Sequence, residues 1–246
     1  MIEKEIQIRT ADGTADGFLY QPEGKGRWPG VIHLTDIWGI RAANRDLSKR
    51  LAAEGYVVLL PNVFYRTSKP PVIPPGLKHG DEKFMQRFQE LAAPLTPEAV
   101  ERDASAYTDF LAKQESVNSG PFGIVGYCFT GGVALRMAAA RPEKFAAVAS
   151  FHGGRLFTDD PASPHLVLPR VKARLHFGHA VEDRSMPKEA IEKLEGALAS
   201  WGGRYESETY EGAHHSWTMP DSPAYNQSQA ERAFNKLVEL FAATIR

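Results

Sequence analysis

The chain has 246 residues, 43% of them hydrophobic and 24% charged, ordinary for a soluble globular protein and enough to bury a sizeable core. Its 29 Lys+Arg and 30 Asp+Glu nearly cancel and form no basic run, which excludes the electrostatic footprint of DNA, RNA or an anionic membrane and leaves a small molecule as the expected partner. The one cysteine, Cys128, rules out an internal disulfide, and with a charged start (Met1-Ile2-Glu3-Lys4-Glu5) and no run of about 18 apolar residues the chain reads as cytoplasmic.

Residues Glu3 to Arg9 alternate polar and apolar, and Gly17 to Tyr20 carries Phe18 and Tyr20, so two antiparallel strands are expected as sheet-edge material. Pro29 to Leu34 reads as a strand, Asn44 to Glu54 as a helix with Leu47 and Leu51 on one face, and Tyr56 to Leu60 as a strand buried on both faces and stopped by Pro61. From Asn62 to Pro94 the periodicity fades into a Pro-rich loop, Pro70 to Pro75, and a helix over Glu82 to Leu91. Thr96-Pro97 has the form of an N-cap and a helix-starting proline, with apolar residues following at Val100, Ala104, Tyr107 and Leu111. Strands at Phe122 to Val125, Phe145 to Phe151, Arg174 to Phe177 and Arg204 to Tyr210 then alternate with helices at Thr130 to Ala140, Pro187 to Trp201 and about Gln227 to Ile245.

No linker, charge block or low-complexity run divides the chain, so residues 1–246 are expected to form one domain. Repeated strand and helix alternation with apolar strands predicts an α/β fold, a mainly parallel central sheet with helices on both faces and antiparallel N-terminal strands. Sites in such sheets form at the carboxyl ends of strands. Three reactive residues stand just after a predicted strand: Cys128, Asp183 and His215.

Gly123-Ile124-Val125-Gly126-Tyr127-Cys128-Phe129-Thr130-Gly131-Gly132 runs from strand to helix through a glycine-rich turn with Cys128 at its apex, the layout of a nucleophile elbow with Cys for Ser. Thr130 stands where that pattern has its second glycine. A thiol at a helix N-terminus is biased toward thiolate by the dipole and the free N–H groups. A lone cysteine is otherwise a small buried hydrophobe, and the glycine setting is what favours a nucleophile. Asp183, preferred over Glu182, lies on a loop suited to an orienting carboxylate or to capping the helix near Pro187. Of the pair His214-His215, the second is favoured as base because it precedes Ser216-Trp217. Nucleophile, acid, then histidine is the chain order of α/β-hydrolases.

The segments Gly126-Tyr127-Cys128, Asp183 to Pro187 and His215-Ser216-Trp217 resemble the catalytic motifs of the dienelactone hydrolase family, as does His33-Leu34-Thr35-Asp36-Ile37-Trp38-Gly39 with the following Gly55 to Pro61. The likeness covers most of the chain and is weakest between Asn62 and Pro94. It implies the α/β-hydrolase fold, a Cys128-His215-Asp183 triad, an oxyanion hole from the Ile37 and Phe129 amides, and no cofactor. Where this chain has Asp36 the family carries a glutamate implicated in switching the thiol to its reactive state, which assigns Asp36 a thiol-switching or substrate-side role. Family pockets hold a substrate carboxylate with arginines, whereas Thr218 and Met219 here are uncharged, leaving Lys83 and Arg87 as candidate pocket cations. Trp38, Tyr127, His152 and Trp217 are further pocket candidates, with Phe64 and Tyr65.

The resulting expectation is hydrolysis of a small ester or lactone through a thioester acyl-enzyme, by a monomer or homodimer. A broad carboxylesterase or thioesterase is the alternative within enzymes, and a binding or redox-sensing protein the alternative outside them, although no second thiol is present to resolve an oxidised Cys128. The histidines lack metal-site spacing, so no metal is expected.

Overall fold

The computed structural model describes residues 1–245. Its elements, in chain order, are β1 (Ile2–Thr10), β2 (Gly13–Gln21), β3 (Gly30–His33), α1 (Ala42–Ala53), β4 (Val57–Pro61), α2 (Glu82–Ala92), α3 (Pro97–Ala112), β5 (Phe122–Tyr127), α4 (Thr130–Ala140), β6 (Phe145–Phe151), a 3-10 helix (Pro164–Arg170), β7 (Arg174–His179), α5 (Lys188–Trp201), β8 (Tyr205–Thr209) and α6 (Gln227–Thr244). Local signals set several ends: the Thr96 side chain accepts the Ala99 N–H ahead of Pro97, and left-handed Gly202 closes α5. The 3-10 helix has no counterpart in the hydrophobic pattern.

All the strands share one sheet, in the order β1-β2-β4-β3-β5-β6-β7-β8. β1 pairs antiparallel with β2 and β2 antiparallel with β4, while every pairing from β4 through β3 to β8 is parallel. β2 is therefore an interior strand, not edge material. Its Leu19 and Tyr20 are buried because the Gly17 to Tyr20 stretch registers against Pro61 to Val58 of β4, a partner too distant in sequence for local periodicity to reveal. Pro61 closes β4 from within: it is the strand's last residue.

β3, β4 and β5 are buried at every position, as strands covered on both faces must be. One layer packs α1 and α6 against the sheet through Leu51, Ala52, Leu237 and Phe241; the other packs α2 to α5 through Phe84, Val100, Leu135 and Leu194. Among the described residues no helix is long and apolar enough to cross a membrane. β3 has β4 on one side and β5 on the other, so the direction of winding reverses between β3 and β5. Such a switch point opens a crevice at the carboxyl ends of the strands, and the loops leaving β3 and β5 carry Ile37 and Cys128 to it.

Candidate active site

Cys128 follows β5 directly and has φ 57, the left-handed region that a non-glycine residue enters only under constraint. The constraint is steric and hydrogen-bonded. A Cβ on Gly126 would lie 2.2 Å from the Thr130 carbonyl oxygen, so the turn closes this tightly only with glycine there. Thr130 is accommodated where the elbow pattern has glycine: its buried Oγ1 accepts the Tyr127 N–H at 3.0 Å and faces the Tyr127 carbonyl at 3.0 Å, bracing the turn. The Cys128 carbonyl accepts from Gly131 and Gly154, and the Cys128 N–H from its own side reaches the Phe151 carbonyl at 3.1 Å. Cys128 keeps partial exposure at the start of α4.

The loops after β7 and β8 bring Asp183 and His215 together, with Asp183 Oδ2 2.6 Å from His215 Nδ1. The other carboxylate oxygen accepts from the Ser185 N–H at 2.8 Å and the Ser185 hydroxyl at 2.7 Å. Asp183 thus divides its oxygens between holding its own loop and holding His215, and it does not cap α5, whose N-cap is Pro187 with no side-chain cap. Burial works to raise the Asp183 pKa, but His215 and Ser185 outweigh it and hold the carboxyl below its ordinary value. Burial likewise opposes charge on His215, yet the Asp183 and Cys128 side chains prevail and raise the imidazole to about 10. His214 is exposed and turned from this contact.

The non-glycine residues with positive φ among those described are Cys128, His152, Arg155, Glu182 and Ser216, and each lies in a loop leaving β5, β6, β7 or β8. Backbone strain is confined to the end of the sheet where these side chains meet. Opposite them, the loop after β3 presents Ile37. Neither the Ile37 nor the Phe129 amide finds an acceptor among the described residues, as an oxyanion site requires.

A dienelactone hydrolase family model matches residues 15–245. The chain belongs to the dienelactone hydrolase family. A Rhodococcus opacus carboxymethylenebutenolidase is 28% identical over 240 residues, covering 96% of this chain and 89% of that protein. A Synechocystis sp. protein provisionally named a carboxymethylenebutenolidase is 26% identical over 234 residues, covering 94% and 92% respectively. The fold is that of a solved Klebsiella pneumoniae structure provisionally named a dienelactone hydrolase, with a TM-score of 0.86 at 22% identity over 98% of both chains.

In this member of the family Asp36 has partners other than the thiol. Arg41 grips it through two bonds of 2.7 and 2.9 Å, and the Trp38 N–H donates to it at 3.0 Å. The same guanidinium reaches across to Asp221 at 2.6 and 3.1 Å, which joins the Ile37 loop to the segment beyond His215. An aspartate this short is held by the arginine behind its own loop, in a clamp of charge-assisted bonds. Arg41 and Ser185, which bond Asp36 and Asp183 here, were not singled out by the motifs. The structure places Arg41 at the N-cap of α1, where a cation stands against the helix dipole unless an acid answers it; a sequence pattern that starts the helix at Asn44 does not reveal this.

The expected pocket side chains divide. Arg87 is engaged, donating from Nε to the Val72 carbonyl at 2.9 Å and pairing with Glu90, because the turn of α2 that carries it faces the Pro-rich loop. Lys83 lies exposed on α2. Trp217 is fully buried against Tyr210 and His152, Tyr127 is buried between His33 and Phe151, and the Tyr65 hydroxyl donates to Asp103, so these three are packing or anchoring residues. Tyr127 does border a cavity, but that one lies between α1 and α6 and excludes Cys128 from its lining. Trp38 packs on Phe84 of α2. Next to Cys128 in the chain, half-buried Phe129 stacks on buried Phe64 and meets half-buried Phe88 edge-on.

Proposed function

We propose that the protein hydrolyses a small carboxylic ester or lactone by acyl transfer through Cys128, with His215 as its acid and base and Asp183 as the group that orients His215. What supports this most is the left-handed Cys128 at a strand-to-helix turn beside an imidazole held by a carboxylate at 2.6 Å. Because His215 is raised to about 10, it begins the cycle at neutral pH as an imidazolium, and in the proposed cycle Cys128 attacks as the thiolate, the nucleophilic form of sulfur. Sγ adds to the carbonyl carbon, and the C=O electron pair moves onto oxygen, toward the Ile37 and Phe129 amides. Collapse breaks the carbon–oxygen bond; the leaving oxygen takes the His215 proton, and a thioester remains on Cys128. Neutral His215 then removes a proton from water, whose oxygen adds to the thioester carbon. Expulsion of sulfur releases the acid and restores the thiolate and imidazolium. With a lactone, acid and alcohol leave as one molecule.

The engaged Arg87, the exposed Lys83 and the half-buried aromatic pair Phe88 and Phe129 favour an uncharged acyl group over a carboxylated one, the broad-carboxylesterase form of the same chemistry. The test is a panel of activated esters, a thioester and a dienelactone, incubated with the wild type, Cys128→Ala and His215→Ala and followed by turnover and intact mass. Turnover lost in both variants, with an acyl adduct on wild-type Cys128, is the expected result, and the panel ranks the substrates. Turnover that survives Cys128→Ala overturns the assignment.

A further inference from the structure

The nearest side chain to the Cys128 backbone that this mechanism leaves unused is His152, the first residue after β6. Its Nδ1 lies 3.1 Å from the Cys128 nitrogen, whose hydrogen can only be donated, so Nδ1 carries no proton. The ring proton then sits on Nε2, 2.7 Å from Thr218 Oγ1. The ring is fully buried and packs edge-to-face with His215 and Trp217, its centroid 5.1 and 5.0 Å from theirs. It is held there with φ 41, a second strained residue directly across from the first.

We propose that His152 is a positioning residue: through Nδ1 it pins the amide of the nucleophile, and through Nε2 and Thr218 it ties the nucleophile turn to the loop that carries His215. The proposal rests on Cys128 being the nucleophile. Two consequences follow from the geometry. The Cys128 N–H, shared between His152 and the Phe151 carbonyl, is fully occupied, so the oxyanion falls to Ile37 and Phe129. The His152 ring also couples the nucleophile turn to the base, since Thr218 is three residues beyond His215 on the same loop. The charged groups facing the ring are His215, Asp183 and Arg41; burial first, then the His215 charge, keep His152 well below its ordinary pKa against the pull of Asp183. A neutral ring is what the arrangement requires, because a protonated one would lose its acceptor and place a second cation beside His215.

The two bonds can be separated by substitution. His152→Asn keeps a carbonyl oxygen where Nδ1 stands and tolerates positive φ, whereas His152→Gln keeps an amide where Nε2 stands and loses the acceptor for Cys128. Each variant, with Thr218→Val, is measured for kcat and KM on an activated ester, for thermal midpoint, and for the pH dependence of Cys128 alkylation by iodoacetamide, which needs no turnover. In His152→Gln, kcat falls about 100-fold with KM little changed, as misplacing a reacting group by a fraction of its diameter does. Its alkylation profile moves about one pH unit higher, the size of one lost hydrogen bond to the ion pair's support. His152→Asn recovers most of both, and Thr218→Val falls between; should His152→Gln not fold, Thr218→Val carries the test. Alkylation profiles that coincide with wild type while kcat falls only in step with thermal midpoint overturn the proposal and leave the nucleophile intact. An unreactive wild-type thiol, or turnover in Cys128→Ala, overturns the nucleophile assignment and this proposal with it.

Discussion

The loops that leave β5 to β8 and the segment between β4 and α3 border the same site, yet they are built on different physical terms. The first group is held by backbone conformation and short polar bonds: left-handed residues, a glycine that tolerates no Cβ, and side-chain bonds such as Asp183 to His215 at 2.6 Å. The second is held by side-chain packing: Val72 and Phe64 buried, Phe88 against Phe129, and Trp38 on Phe84. Backbone strain specifies positions to a fraction of an ångström, which bond-making needs. Packing specifies shape and tolerates exchange of similar volumes, which suits the choice of substrate. Chemistry should therefore fail steeply when the first region is altered, and selectivity should drift when the second is.

The largest effect is expected at Asp183. In Asp183→Asn the amide nitrogen or oxygen that meets His215 cannot hold the imidazolium, and turnover of an activated ester falls by roughly 1,000-fold or more while the far-ultraviolet spectrum is unchanged. The same variant gives a pH signature. His215 is raised from 6.5 to about 10 in the folded protein, so its contribution to stability is fully present below about pH 6.5 and is lost as pH climbs toward 10. Wild type accordingly loses thermal stability over that window relative to Asp183→Asn, in which His215 lacks the partner that raises it. Parallel melting curves from pH 6 to about 10 would show that the carboxylate does not set the His215 charge.

The contrast also explains what could be read without coordinates. α4 and β6 occupy the residues that hydrophobic pattern and glycine placement assign to them, because a run buried on both faces and a tight strand-to-helix turn are local properties. The loops holding Cys128, Asp183 and His215 were legible for the same reason, each being a strand exit with its own turn chemistry. What was not legible depends on partners brought alongside by the fold. Arg41 finds Asp221 180 positions away, and β2 is interior only because β4 returns beside it. Arg87 looked like a free cation on a helix and is instead bonded to a backbone carbonyl in a loop without periodicity. Trp217 stands two residues from His215 but packs into the α1 and α6 layer.

Arg41 sits between the two regimes, since it fixes a backbone loop through a side-chain clamp. Lysine offers one point of charge where arginine supplies a fork to Asp36 and a second contact to Asp221. Arg41→Lys leaves Asp36 held on one side and lets the Ile37 amide shift. kcat falls about 10-fold with KM little altered, short of the roughly 100-fold cost of deleting an oxyanion donor. An equal effect on esters and thioesters is expected, because both transition states use that amide. A change in KM alone would place Arg41 in substrate binding.

The smallest effect tests whether the packed segment reaches the chemistry at all. Arg87 holds the Val72 carbonyl at 2.9 Å, and the Val72 side chain occupies the space a Cβ on Gly39 would need, with 2.6 Å between them. Gly39 in turn donates its N–H to the Asp36 carbonyl at 3.1 Å, at the base of the Ile37 loop. This chain of contacts is made of two hydrogen bonds with a van der Waals surface between them, so it transmits little. Arg87→Ala loses about 1 kcal/mol of stability from the hydrogen bond to Val72. On a series of esters with lengthening acyl chains, kcat stays within about threefold while the preferred chain length shifts, since Val72 and α2 relax without moving the strained loops. If kcat instead falls as far as in Arg41→Lys for every ester, the packed segment and the oxyanion loop form one mechanical unit, and the division between chemistry and selectivity drawn from their construction does not hold.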